Sequence, residues 1–100
     1  MKEKFDNFLK NGLSEYDAKY LNDFKYVMLL NQNGEIHPFF ANYYVEAFVE
    51  YPEENKTYNT PSDVLEEEMK LTNSNSGIIY ENTDRKGNFT PIAYIDNSNK

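Results

Sequence analysis

The 100-residue chain has no cysteine and no tryptophan, one histidine, one arginine and four widely separated glycines. Without thiols, neither disulfides nor thiolate metal sites can staple the fold, which must close by packing alone. That excludes zinc ribbons and thiol enzymes. A lone histidine, His37, cannot build a paired-histidine metal site, and its position before Pro38 in an apolar segment fits a structural or surface role. The scattered glycines leave no phosphate-binding loop, and no acidic run follows the order of a calcium loop. No cofactor or metal is therefore expected. No apolar run approaches the ~20 residues of a membrane span, and the opening MKEKFDNFLKNG lacks the apolar centre of a signal peptide, so a soluble protein of the cytoplasm without a membrane partner is expected. Bases are dispersed, with only Arg85 and Lys86 adjacent, which argues against direct binding of nucleic-acid phosphates.

Acidic residues, by contrast, are concentrated. Between Glu46 and Glu68 stand eight of them (Glu46, Glu50, Glu53, Glu54, Asp63, Glu66, Glu67 and Glu68) against the single base Lys56, a formal charge of −7. This equals the net charge of the whole chain, so the remaining residues are neutral in sum and the acidity has one address. Aromatic side chains are the other abundance, nine Tyr and seven Phe. Each buried ring removes ~150–250 Å² from water, which suits a single domain of this length with few residues to spare for a core. Asn55-Lys56-Thr57 and Asn88-Phe89-Thr90 match the glycosylation acceptor pattern, but fourteen Asn make chance matches common and no secretion signal accompanies them.

The order of patterns predicts an α+β fold: two N-terminal helices, a mainly antiparallel sheet of about five strands, and one further helix before a C-terminal β-hairpin. Phe5, Phe8 and Leu9 form an apolar stripe over residues 2–11, ended by Gly12. Ser14 caps a second helix that runs to about Phe24. Tyr26 to Leu30 reads as a buried strand leading to Asn33-Gly34, a hairpin signal, with a return over Glu35 to Phe40 that Pro38 assigns to a sheet edge. Residues 43–51 fit both a strand and a helix, and their β-branched and aromatic content favours the strand. Thr60-Pro61-Ser62-Asp63 is a helix start with cap, first-turn proline and acidic third position, predicting a helix to about Leu71. At about 100° per residue, Val64, Leu65, Met69 and Leu71 share one arc and Asp63, Glu66, Glu67 and Lys70 the opposite one, with Glu68 inside the apolar arc. Thr72 to Gly77 reads as a loop, Ile78 to Glu81 and Phe89 to Ile95 as a hairpin, and Asn97 to Lys100 as a frayed tail.

For function, the candidate contact residues are Glu46, Glu50, Tyr51, Glu53, Glu54, Tyr58, Asp63, Glu66 and Glu67, with the two tyrosines as aromatic anchors. Carboxylates at i, i+3 and i+4 of a helix stand ~5–6 Å apart, a spacing that roughly imitates a row of DNA phosphates. A short, acidic, cysteine-free α+β chain resembles, in size and charge alone, the phage and plasmid inhibitors that block nucleic-acid enzymes by imitating DNA, among them DNA-glycosylase inhibitors, anti-restriction and anti-CRISPR proteins. The resemblance implies a non-enzymatic protein whose partner is a basic protein surface on a nucleic-acid-binding enzyme. Nine Lys to one Arg and the wealth of Asn suit an AT-rich bacterial or phage gene. Two other readings stand beside it: a structural or assembly module whose acidic face only keeps it dissolved, and a small ligand-binding domain or enzyme built around His37. Nothing in the chain specifies an oligomeric state.

Overall fold

Two β-hairpins laid side by side make the sheet. The structure, a computed structural model, describes residues 2–12, 23–41, 60–83 and 88–97. Strand β1 (Tyr26–Gln32) turns into β2 (Glu35–Ala41), and β3 (Ser76–Asn82) pairs with β4 (Phe89–Asp96). The order across the sheet is β2-β1-β3-β4, every pair antiparallel, so β1 and β3 form the central seam. Helix α1 (Lys2–Asn7), continued by a π-helical turn (Phe8–Gly12), and helix α2 (Pro61–Thr72) complete an α+β fold with two helices among the described residues. Within those residues no helix is long and apolar enough to cross a membrane.

Local chemistry accounts for the first hairpin. Asn33 and Gly34 both adopt positive φ, 53° and 85°, as a turn matched to the twist of its strands requires, and these are the two residue types that tolerate it best. Pro38 and Pro91 lie on β2 and β4, the outer strands, where a missing N–H costs least. Beside Pro91 the pairing of β3 and β4 slips, because Ile79 faces Ala93 while Tyr80 faces Pro91, leaving Ile92 as the extra residue of a bulge.

The central strands are buried on both faces, and the two faces are covered differently. On one, Tyr26, Met28 and Leu30 of β1, Ile79 of β3 and Ala93 of β4 pack under Val64, Leu65 and Met69 of α2. Gly77 lets the helix settle there: a Cβ at this position would lie 2.8 Å from Leu65 Cδ1 and 2.9 Å from Leu30 Cδ2. On the other face Val27, Leu29, Ile78 and Tyr80 close around Phe5 of α1, with Phe8, Leu9, Ile36, Phe40 and Phe89 at the margin. Phe5 is fully buried and meets Tyr94 edge to face, with ring centroids 6.5 Å apart. Each such side chain contributes ~1.5–3 kcal/mol on burial. The Tyr80 hydroxyl donates to Asp6 Oδ1 at 2.6 Å, and Lys2 Nζ lies 3.7 Å from Asp6 Oδ2. Burial first, then the Asp6 carboxylate, hold the Tyr80 phenol well above its ordinary 10.0.

Several sequence expectations need adjustment. The described sheet has four strands rather than five; the strand expected over 43–51 lies outside the described residues, as does the helix expected over 15–24 up to position 22, while Asp23 and Phe24, its expected end, are not helical. The first helix is α-helical only to Asn7 before its last turn widens. The loop expected from Thr72 to Gly77 is shorter: Thr72 still belongs to α2, and Ser76 and Gly77 are already buried in β3. Glycine there answers to the overlying helix, not to a turn. Asn97, expected to fray, donates its backbone N–H to Asn75 O at 2.8 Å. Leu71, assigned to the apolar arc, is 56% exposed, because the buried arc centres between Val64, Leu65 and Met69 and Leu71 falls at its rim.

Candidate docking face on helix α2

Helix α2 is fixed at both ends. Thr60 has extended backbone (φ −137°, ψ 158°); its Oγ1 accepts from Asp63 N at 3.3 Å while its own N–H donates to Asp63 Oδ2 at 3.1 Å. This reciprocal pair satisfies two helix-end donors, and Pro61 occupies a first-turn position that has no intrahelical donor to lose. At the other end Asn73 takes the left-handed conformation (φ 55°, ψ 43°), and Ser74 N donates to Met69 O at 2.8 Å. With Val64, Leu65 and Met69 buried beneath, the opposite side of the helix is held in one orientation.

Three of the nine expected contact residues lie on this helix, and they differ. Glu66 is outermost, its side chain 62% exposed, and its Oε1 stands 3.7 Å from Lys70 Nζ one turn on. An exposed pair at that distance contributes little and yields readily to another cation. Glu67 is half-buried. Asp63, also half-buried, serves as the capping residue, where a negative charge is further favoured by the helix dipole. Glu68, placed by its helical phase on the apolar side, is half-buried with Oε2 shielded from water. Glu46, Glu50, Tyr51, Glu53, Glu54 and Tyr58 lie outside the described residues.

Sequence reasoning missed what flanks α2 at its C-terminal end. Asn31 Nδ2 donates to Asn75 Oδ1 at 2.7 Å, Gln32 Nε2 to Thr72 O at 3.0 Å, and Thr72 Oγ1 lies 2.7 Å from Ser74 Oγ. A polar knot thus ties the helix end, and the residues that lead from it into β3, to β1. Beside it, between α2 and the end of β4, runs an open groove of ≈ 250 Å³. It is lined by Glu66, Met69, Lys70, Asn73, Ser74, Ile95 and Asn97. The one available signal was the spacing of Glu66, Met69, Lys70 and Asn73, which places them along one line of the helix.

Elsewhere, His37 on β2 is half-buried, with Nε2 3.7 Å from Glu35 Oε2, a contact that becomes an ion pair only when the imidazole is protonated. Among the described residues no group of three His, Cys, Asp or Glu side chains could hold a metal ion. Comparison with protein-family models, curated proteins and solved structures finds no match to this chain.

Proposed function

We propose that the chain is a non-enzymatic binding protein, of phage or mobile-element type, whose acidic stretch from Glu46 to Glu68 occupies the basic groove of a nucleic-acid enzyme in place of DNA, in the cytoplasm of a bacterial host. One observation carries this reading: eight acids and one base fall within that stretch, and the rest of the chain is neutral in sum. Two features support it. Glu66 and Glu67 stand on a helix anchored at both ends and along its apolar side, so little backbone freedom is lost on binding. The outward carboxylates also follow a helical repeat of ~5–6 Å, on which a row of phosphate-binding cations can be met without rearrangement.

The test is capture of the partner from bacterial lysate at low and high salt, followed by elution with duplex DNA. A partner held by charge in its nucleic-acid groove is released by both salt and DNA. Reversing Glu66→Lys together with Glu67→Lys should lower the affinity at least about tenfold while the circular dichroism spectrum stays unchanged. Capture indifferent to the double reversal and to competing DNA would sink the reading in favour of an assembly module.

A further inference from the structure

The turn between β1 and β2 consists of two residues, Asn33 and Gly34, with Gln32 and Glu35 closing the ladder as its last pair. Ladder hydrogen bonds in such a hairpin belong to the residues that flank the turn, so the Gly34 N–H stays outside them. Asn33 and Gly34 are both exposed, and a Cβ added at Gly34 would meet nothing within 4 Å. A short amide side chain is thus followed by a main-chain nitrogen that lies outside the ladder and that no side chain of its own shields. The other Asn-Gly pair of the sequence, Asn11-Gly12, ends the π-helical turn after α1 instead, where main-chain amides donate along the helix.

We propose that Asn33 is a site of spontaneous self-modification, in which the Gly34 amide nitrogen attacks the side-chain carbonyl of Asn33. A bond forms between Gly34 N and Asn33 Cγ, the Cγ–Nδ2 bond breaks, the proton of Gly34 N passes through water to the departing nitrogen, and ammonia leaves. The product is a cyclic succinimide. Water then opens the ring at one of its two carbonyls, giving aspartate, or isoaspartate in which the main chain runs through Cβ and Cγ. Nothing is oxidised or reduced, and water is the only co-reactant. Ring closure requires the Asn33–Gly34 peptide to rotate out of the turn, so its rate follows fraying at the end of a hairpin whose second strand, β2, is an outer strand of the described sheet. The two products differ in consequence. Aspartate tolerates positive φ as asparagine does, so it leaves the turn in place and adds one negative charge to the net −7. Isoaspartate lengthens the main chain, which a two-residue turn cannot absorb without releasing the Gln32–Glu35 pair. Gln32 also donates to Thr72 O at 3.0 Å, so that release reaches the end of α2.

The test keeps the full chain in warm neutral buffer, folded or unfolded in urea, and follows each asparagine by peptide mapping and isoaspartate by enzymatic methylation. In the folded protein Asn33 should convert at least about threefold faster than Asn11. In urea, where both Asn-Gly pairs lose their folded surroundings, the two rates should agree within about a factor of two. Asn33→Gly keeps a residue suited to positive φ, and should remove most of the isoaspartate formed by the folded protein while the circular dichroism spectrum stays unchanged. The proposal is overturned if Asn33 stays intact in the folded protein over the time in which the chain in urea converts, or if Asn11 keeps pace with Asn33 in the folded state. Isoaspartate formation undiminished by Asn33→Gly would overturn it as well.

Discussion

The two faces of the sheet are covered by helices of different kinds. On one side α2 carries its own instructions: a capping box, a first-turn proline, a left-handed Asn at the end and an apolar arc of helical spacing. On the other, α1 is six residues long and is held by what it reaches, Phe5 in the apolar cluster and Asp6 under the hydroxyl of Tyr80, seventy-four positions away. A helix as short as α1 is marginal in water by itself, and its stability comes from packing. The contrast separates structure specified nearby in the chain from structure specified across it, and it divides the surface as well, since α2 presents the outward carboxylates.

The largest effect that could break this comparison is the loss of the ring that anchors α1. Phe5→Ala should cost ~3–5 kcal/mol in urea unfolding, as much as or more than Leu65→Ala beneath α2 at ~2–5 kcal/mol. A cost below ~1 kcal/mol would mean that α1 merely decorates the sheet. Next comes the cap. Thr60→Ala removes the acceptor for Asp63 N and should cost ~0.5–2 kcal/mol, with helical signal lost from α2 but the β-sheet signal retained. The smallest effect at neutral pH is Tyr80→Phe, ~1 kcal/mol, because Asp6 is 41% exposed and recovers water when the hydroxyl is gone.

That last variant sharpens the comparison through pH. The folded protein holds the Tyr80 proton more tightly than the unfolded chain, so its contribution is complete below the ordinary phenol value of 10.0. Above it the unfolded chain ionises while the fold does not, and stability falls as pH rises. Wild-type protein should lose more stability than Tyr80→Phe between about pH 9 and pH 11. Equal slopes would show that the tie between α1 and the sheet is not made through this hydroxyl.

Legibility in the sequence follows the same division. Helix α2 and the Asn33-Gly34 turn were readable because a cap, a proline or a positive-φ pair acts within a few residues. Gly77 was misassigned to a loop because the reason for glycine there is the approach of Leu65 and Leu30, which no local pattern announces. Asn75 and Asn97, both in runs that read as unstructured, turned out to bond to each other across the ends of β3 and β4. On the candidate site, helical phase correctly separated Glu68 from Glu66, and the third position of the cap was visible in Asp63. The groove was not visible, since two of its seven lining residues, Ile95 and Asn97, arrive on β4 and its margin from a different part of the chain.

The seam between β1 and β3 also decides what the chain is divisible into. Cut between β2 and α2, it yields one piece with α1 and a hairpin and another with α2 and a hairpin, each complete in secondary structure. Yet Phe5 of the first piece rests on Ile78 and Tyr80 of the second, and Val64, Leu65 and Met69 of the second rest on Met28 and Leu30 of the first. Each half supplies the other's interior, and neither owns one alone. The helix that displays the acidic surface is in position only when both ends of the chain have met.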